Sequence, residues 1–165
     1  MLPAITVSSV AVPRLVVMVG LPGAGKSTYL RSIGAHAISS DAVRLMLADD
    51  ETDQSINGRV FATVKYLVRQ RLELGRSVTY LDATNLVRRD RRAWLELGRE
   101  YGAWVEALWF DVPLEVCKAR NAGRGRVVPE WVLDLMAARF VPPSVYEGFD
   151  AVRRCGIRAA VEELI

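Results

Sequence analysis

The chain has 165 residues, of which 51% are hydrophobic and 25% are charged, and its formal net charge is +3. This length and composition are typical of one globular domain, so we predict a single domain over residues 1–165 with residues 1–12 as a loose lead-in. No segment reaches the roughly 18 apolar residues needed to span a bilayer, and the N-terminus lacks the basic region of a secretory signal. We therefore expect a cytoplasmic protein that makes no membrane contact.

Short apolar runs alternate with helical patterns along the chain. The runs predict strands at 14–19, 36–39, 77–81, 104–110 and 151–157. Helical spacing, with Pro and Gly at the ends, predicts helices at 26–33, 41–48, 53–74, 88–101, 113–121 and 129–140. Strands that alternate with helices form βαβ units, so we predict an α/β three-layer sandwich whose central parallel sheet has helices on both faces. Ligands of such sheets bind at the carboxyl ends of the strands.

The stretch GLPGAGKST, residues 20–28, follows the first predicted strand and opens the first predicted helix. Its first eight residues fit the P-loop pattern GxxxxGK[ST], in which backbone amides surround phosphates, Lys26 neutralises the β and γ oxygens and the Ser27 hydroxyl ligates Mg²⁺. The residues predicted to bind ATP here are Gly20, Leu21, Pro22, Gly23, Ala24, Gly25, Lys26, Ser27 and Thr28.

Several P-loop classes are disfavoured by the rest of the chain. Its length leaves little room for the sensor and arm elements of a motor or an AAA+ ring subunit, and it contains no NKxD motif of a GTPase. What remains is mainly a small kinase, which needs a carboxylate that orients the acceptor hydroxyl and takes its proton.

Asp41 is the candidate for that carboxylate because it follows the short second strand. Arg44 lies three residues later, on the same face of the predicted helix. The pair would supply a general base and an anion clamp; alternatively, Asp41 only caps the helix.

A second acid, Asp82, ends the third predicted strand. It is a candidate for holding the Mg²⁺ shell through water, against the alternative of an Asx turn that closes the strand. Thr84 and Asn85 follow in the loop and are candidates for hydrogen bonds to a phosphate or the acceptor.

The stretch NAGRGR, residues 121–126, predicts a flexible loop, and we expect a lid over about residues 120–128. Arg120, Arg124 and Arg126 are predicted to close over the transferring phosphoryl group, where an arginine stabilises transition-state charge. The alternative is a plain solvated loop.

Other chemistry-bearing residues have simpler interpretations. The tryptophans occupy apolar positions, so core packing is favoured over base stacking for Trp94, Trp104, Trp109 and Trp131. The two cysteines lie far apart and the single histidine stands alone, which gives no support for a metal site of His and Cys or a disulfide framework. We expect no covalent cofactor.

Taken in order, the motifs resemble the 5′-hydroxyl polynucleotide kinases of phage and bacterial RNA-repair systems, in the P-loop kinase superfamily. The resemblance rests on GLPGAGKST, SSDAVR, DATNL with RRAW after it, FDVPLEVCKARNAGR and VPPSVYEGFD. It implies that Asp41 is the general base on the acceptor 5′-hydroxyl and that Arg44 binds the first phosphate of the acceptor. It also implies that Arg124, with Arg120 before it, is the lid arginine at the ATP phosphates.

The resemblance further implies a P-loop kinase-like fold with an arginine-bearing lid, ATP and Mg²⁺ as cofactors, and the 5′-hydroxyl end of RNA or DNA as the substrate partner. Two alternatives stay open. One is a small-molecule kinase in which Asp41 and Arg44 bind a sugar, an acid or a nucleoside. The other is an ATP-binding module without transferase activity.

Overall fold

The computed structural model describes residues 11–156. Five strands form one sheet: β1 (Arg14–Val19), β2 (Ala37–Ser39), β3 (Val78–Asp82), β4 (Trp104–Phe110) and β5 (Ala151–Cys155). Six helices connect them: α1 (Lys26–Ser32), α2 (Ser40–Ala48), α3 (Asn57–Glu73), α4 (Arg88–Glu100), α5 (Leu114–Ala122) and α6 (Glu130–Arg139). A short 3-10 helix, Val145–Glu147, precedes β5.

The strands lie in the order β2-β3-β1-β4-β5, and every neighbouring pair is parallel. β1 is central, and its residues from Leu15 to Val19 are completely buried. Parallel strands need crossover connections, and here each crossover includes at least one helix. The predicted α/β fold with a central parallel sheet is confirmed.

Alternation along β1 divides the core in two, because successive side chains of a strand point to opposite faces. Leu15, Val17 and Val19 pack with α3 and α4 on one face, while Val16 and Met18 pack with α1 and α5 on the other. Helices on both faces therefore bury the sheet, which is why β1 reads as an uninterrupted apolar run.

Two predicted element bounds differ from the structure. The helix predicted from residue 53 begins at Asn57, because the carboxylates of Asp50 and Asp53 accept the backbone N–H groups of Thr52 and Ser55 and form turns instead. The strand predicted to residue 157 ends at Cys155, and Ile157 lies outside the described residues, as do residues 1–10 of the predicted lead-in.

The tryptophan prediction is correct for some positions and wrong for others. Trp94 is buried in the core with α3, and Trp109 packs against that core with Arg154 stacked 5.1 Å from its ring centre. Trp104 is 45% exposed at the start of β4, and Trp131 is 66% exposed on α6. An apolar position at an element's end or on its outer face is not a core position.

Between residues 11 and 156, no helix combines the length and the apolar character that crossing a membrane requires.

Candidate active site

The loop of residues 20–28 leaves the carboxyl end of β1 and enters α1. Its shape depends on glycine: Gly23 and Gly25 have φ angles of +82° and +102°, which side-chain-bearing residues rarely adopt. A Cβ at Gly23 would also overlap the carbonyl oxygen of Cys117 in α5. The loop is thus packed closely against α5, with the N-terminus of α1 directed to the space above the sheet.

Lys26 is buried beneath this loop. Its Nζ donates hydrogen bonds to the carbonyl oxygens of Gly20 at 2.7 Å and of Leu21 at 2.9 Å. Burial lowers the pKa of Lys26 from 10.5 to about 8. The negative charge of Asp82 raises this pKa more than any other neighbouring group does. Backbone acceptors therefore hold the ammonium at the loop, and its pKa is lowered but stays above neutrality.

The Ser27 hydroxyl donates a 2.7 Å hydrogen bond to Asp82 Oδ2 at the end of β3. β3 lies next to β1, so the ends of these two strands bring the loop and the carboxylate together. Hydroxyl and carboxylate oxygens are the ligands that Mg²⁺ prefers. The donor set fits Mg²⁺, and Ser27 and Asp82 are the residues that would hold it.

Asp41 and Arg44 lie together in the first turn of α2. Arg44 Nη1 donates to Asp41 Oδ1 at 2.8 Å, and Arg44 Nη2 donates to Asn57 Oδ1 at 2.7 Å. The hydroxyl of Ser39 is the helix cap, accepting the backbone N–H of Ala42. Asp41 is therefore not needed as a cap, and its carboxylate is 50% exposed.

Arg44 is almost completely buried, whereas its partner Asp41 faces the solvent. The guanidinium is fixed between Asp41 and Asn57, and its Nε has no hydrogen-bond partner among residues 11–156. Asn57 was not anticipated from the sequence, because the pattern around it indicated only the interior of a longer helix.

Asn85 through its side chain and Thr84 through its backbone hold the segments around the P-loop in place. Asn85 Nδ2 donates to the Met18 carbonyl oxygen at 2.7 Å, and its Oδ1 accepts the indole N–H of Trp94 at 3.0 Å. The Thr84 carbonyl oxygen accepts the Gly20 N–H at 3.1 Å. Both residues line the cleft, but acceptor binding by either stays a prediction, and the amide of Asn85 is already engaged within the protein.

The predicted lid, about residues 120–128, falls on the end of α5 (Leu114–Ala122) and the loop that follows it. Arg120 lies in the last turn of α5, and the positive charge of Arg124 helps to lower the pKa of Lys26. Arg126 Nη1 lies 3.0 Å from Asp41 Oδ2. Arg124 thus lies on the side of Lys26 and Arg126 on the side of Asp41. The predicted contacts of Arg120, Arg124 and Arg126 with ATP stay predictions.

Asn121 closes the base of this lid and was also missed. Its side chain donates to the Val128 carbonyl oxygen at 2.7 Å and accepts the Val128 N–H at 3.0 Å. The sequence signal was weak: a single Asn at the end of a predicted helix.

The P-loop residues Lys26 and Ser27 line one cleft of about 1380 Å³ together with Asp41, Arg44, Asp82 and the three arginines of the predicted lid. The cleft continues from the P-loop past Asp41 and along α3, α4 and α6. Three acidic side chains line it: Asp41, Asp82 and Asp90. Nine basic side chains line it: Lys26, Arg31, Arg44, Lys65, Arg89, Arg120, Arg124, Arg126 and Arg139. A cleft of this charge favours molecules that carry several phosphates.

A family model described as an AAA domain matches residues 15–143, from β1 to beyond α6. The chain belongs to this family. The matched part contains the P-loop, the ion pair of Asp41 with Arg44 and the predicted lid loop.

Relatives of the AAA domain include named kinases. L-seryl-tRNA(Sec) kinase of Methanococcus maripaludis is 24% identical over 143 residues, which are 82% of this chain and 56% of that protein. A solved structure of the Pnkp1/Rnl/Hen1 complex contains a chain that is 28% identical, with a TM-score of 0.59 over 72% of this chain and 41% of that one. A sugar kinase from Janibacter sp. HTCC2649 is 21% identical, with a TM-score of 0.63 over 93% of this chain and 92% of that one.

This chain therefore spans about half of the length of the seryl-tRNA kinase and less than half of the chain in the complex. The fold is P-loop kinase-like. Membership of the family implies use of ATP and Mg²⁺.

Proposed function

We propose that this protein transfers the γ-phosphoryl group of ATP to the 5′-hydroxyl end of a nucleic acid. The observation that carries the proposal is the position of Asp41, a half-exposed carboxylate that opens onto a cleft lined mainly by basic side chains. A polyanionic acceptor can lie in such a cleft with its terminal hydroxyl at Asp41.

In the proposed reaction, the acceptor oxygen attacks the γ-phosphorus in line. A new O–P bond forms, the bond between the γ-phosphorus and the bridging oxygen breaks, and ADP leaves with that electron pair. Asp41 accepts the proton of the hydroxyl. Lys26 and Arg124 offset charge on the donor phosphates, and Arg44 binds the first phosphate of the acceptor.

Magnesium, when bound, neutralises charge on the donor phosphates, and Ser27 and Asp82 would hold it. Asn57 fixes the guanidinium of Arg44 from behind, and the Ser39 cap fixes the helix turn that carries Asp41. Preorganisation of this kind lowers the cost of aligning the acceptor in the transition state.

Two relatives support a nucleic-acid acceptor. The name of the seryl-tRNA kinase places its acceptor on an RNA, and a second structure of the Pnkp1/Rnl/Hen1 complex, 23% identical over 82% of this chain, is described as an RNA repair complex. The sugar kinase matches in overall length; its name makes a metabolite acceptor the second candidate.

The test is to incubate the protein with γ-labelled ATP and a single-stranded 5′-hydroxyl oligonucleotide, as RNA and as DNA. We expect label on the oligonucleotide and none on the same oligonucleotide carrying a 5′-phosphate. Asp41→Asn should lower the transfer rate by about 10²-fold or more, since it removes the general base, and should leave ATP binding intact.

Asp49→Asn is the matched control. Asp49 ends the same helix outside the cleft, and its φ of 55° suits asparagine, so we expect normal transfer. One result would contradict the proposal and favour the metabolite kinase. In it, the folded protein binds ATP and phosphorylates a sugar or a nucleoside but labels no oligonucleotide.

A further inference from the structure

Helix α3 carries two different stripes of side chains. The first, Val60, Val64, Val68 and Leu72, is buried against the sheet. The second, Asn57, Phe61 and Lys65, lies along the cleft. Residues four apart fall on one face of a helix, about 6 Å apart along its axis. One stripe thus holds α3 to the core and the other forms a wall of the cleft.

Phe61 follows Val60 of the buried stripe in the sequence, but it is 40% exposed. It lines the cleft and does not join the core that its neighbours Val60 and Val64 form. An exposed aromatic ring inside a basic cleft has a flat face available for stacking.

Lys65 follows one turn later and is half-buried in the same wall. Among residues 11–156, its ammonium forms no ion pair and no hydrogen bond. An anion bound at this position would give Lys65 the partner that it lacks among the described residues.

The stripe begins at the acceptor site. Asn57, its first member, accepts the hydrogen bond from Arg44 Nη2, and Arg44 in turn holds Asp41. Phe61 and Lys65 therefore continue outwards from the residue pair at which the acceptor hydroxyl and its first phosphate are proposed to bind.

We propose that Phe61 and Lys65 form a binding subsite for the second nucleotide of a single-stranded acceptor. Phe61 stacks on its base, and Lys65 contacts the phosphate that follows. This inference rests on the proposed function and adds that recognition extends beyond the terminal nucleoside. Basic side chains along a backbone together with an aromatic ring under a base are the elements by which proteins bind single strands.

The experiment compares two acceptors, a nucleoside 3′-monophosphate and a short single-stranded 5′-hydroxyl oligonucleotide. Phe61→Ala should raise KM for the oligonucleotide about tenfold, the loss expected for one stacked base, and leave KM for the monophosphate unchanged. Lys65→Ala should reduce the slope of log KM against log salt by about 0.7 for the oligonucleotide, since one phosphate contact is lost.

Conservative and control variants separate binding from folding. Phe61→Tyr and Lys65→Arg keep the ring and the charge and should restore oligonucleotide binding. Tyr66→Ala and Arg59→Ala change exposed side chains of the same helix outside the cleft, and both should leave the two acceptors unaffected.

The outcomes distinguish this inference from the function on which it rests. Suppose that both acceptors are phosphorylated and that, for the oligonucleotide, Phe61→Ala has the same KM as the wild type. This result would overturn the subsite but leave the kinase proposal standing. Failure of the folded wild type to label either acceptor would overturn both. A tenfold effect confined to the longer acceptor supports both.

Discussion

At the scale of single residues, Lys26 combines burial with a charge that the site requires. Because its pKa is about 8, half of the ammonium groups are deprotonated at about pH 8. Below pH 8 the side chain is charged and attracts the phosphates of ATP; above pH 8 the neutral amine no longer does so. Binding of the anion favours the charged form, so ATP binding and proton uptake are coupled.

This coupling predicts the pH dependence of ATP affinity. The dissociation constant for ATP should increase as the pH rises through about 8, measured by titration of the protein with ATP at pH values on both sides. Lys26→Met removes the charge at every pH, so it should bind ATP weakly with little change across the same range. An ATP affinity of the wild type that is constant across pH 8 would show that Lys26 does not titrate there.

At the scale of elements, α4 approaches β4 more closely than a side chain would allow. Gly98 lies on the buried face of α4, and a Cβ at this position would overlap Val105 Cγ2 of β4. Glycine weakens an isolated helix, so its presence here is explained by the contact between the helix and the sheet.

Two helical glycines should therefore respond in opposite ways to the same substitution. Gly98→Ala should lower the free energy of unfolding by about 1–3 kcal/mol through overpacking. Gly58→Ala, in the first turn of α3 with no atom within 4 Å of the added Cβ, should be neutral or stabilising by up to about 1 kcal/mol.

Urea denaturation measures both changes. Val105→Ala combined with Gly98→Ala should cost less than the sum of the single variants, because the shortened side chain makes room for the new methyl group. Equal effects of the two glycine substitutions would show that helix propensity, not packing, determines the result.

The order and type of the elements could be predicted because the local signals were strong. Short β-branched runs marked the buried strands, while glycines and prolines marked the helix ends. The predicted start of α3 was wrong because Asp, Ser and Thr are common both at helix starts and in turns. In the segment before Asn57, the Asp50 and Asp53 side chains form turns. The side of α3 on which Phe61 lies depends on where the cleft is, and periodicity alone does not give this.

The candidate site was predictable where chemistry is carried by adjacent residues. The P-loop motif placed Lys26 and Ser27, and strand ends placed Asp82 next to them. Contacts between distant segments had no local signal. The ion pair of Arg126 with Asp41 joins positions far apart in the chain, and the hydrogen bond that Arg44 donates to Asn57 joins two helices.

At the scale of the whole molecule, one buried arginine connects three parts of the fold. Arg91 of α4 is 0% exposed, and its Nε and Nη2 donate to the carboxylate of Glu147 at 2.8 and 2.7 Å. Its Nη1 donates to the carbonyl oxygens of Asn85 and Val141. The loop beside the P-loop, α4 and the segment leading to β5 are thus held by one side chain.

Removing the partner of this arginine should be costly. Glu147→Gln leaves a buried guanidinium without its counter-charge, and we expect a loss of about 3 kcal/mol or more in the free energy of unfolding. Glu96→Gln also removes the partner of an α4 arginine, but that pair with Arg92 is exposed, so its loss should be within about 0.5 kcal/mol. Thermal or urea denaturation distinguishes the two, and similar losses would show that the buried pair has no special role.

The distribution of charge also affects how fast phosphate-bearing molecules associate with the cleft. The cleft carries nine basic and three acidic side chains, while the whole chain has a formal net charge of only +3, so the remainder of the molecule is net negative. Positive charge concentrated in a concave, low-dielectric region focuses the electric field into the solvent. Phosphate-bearing molecules are then drawn towards the cleft over roughly the Debye length, about 10 Å at 0.1 M salt, and approach from other directions is disfavoured before any contact forms.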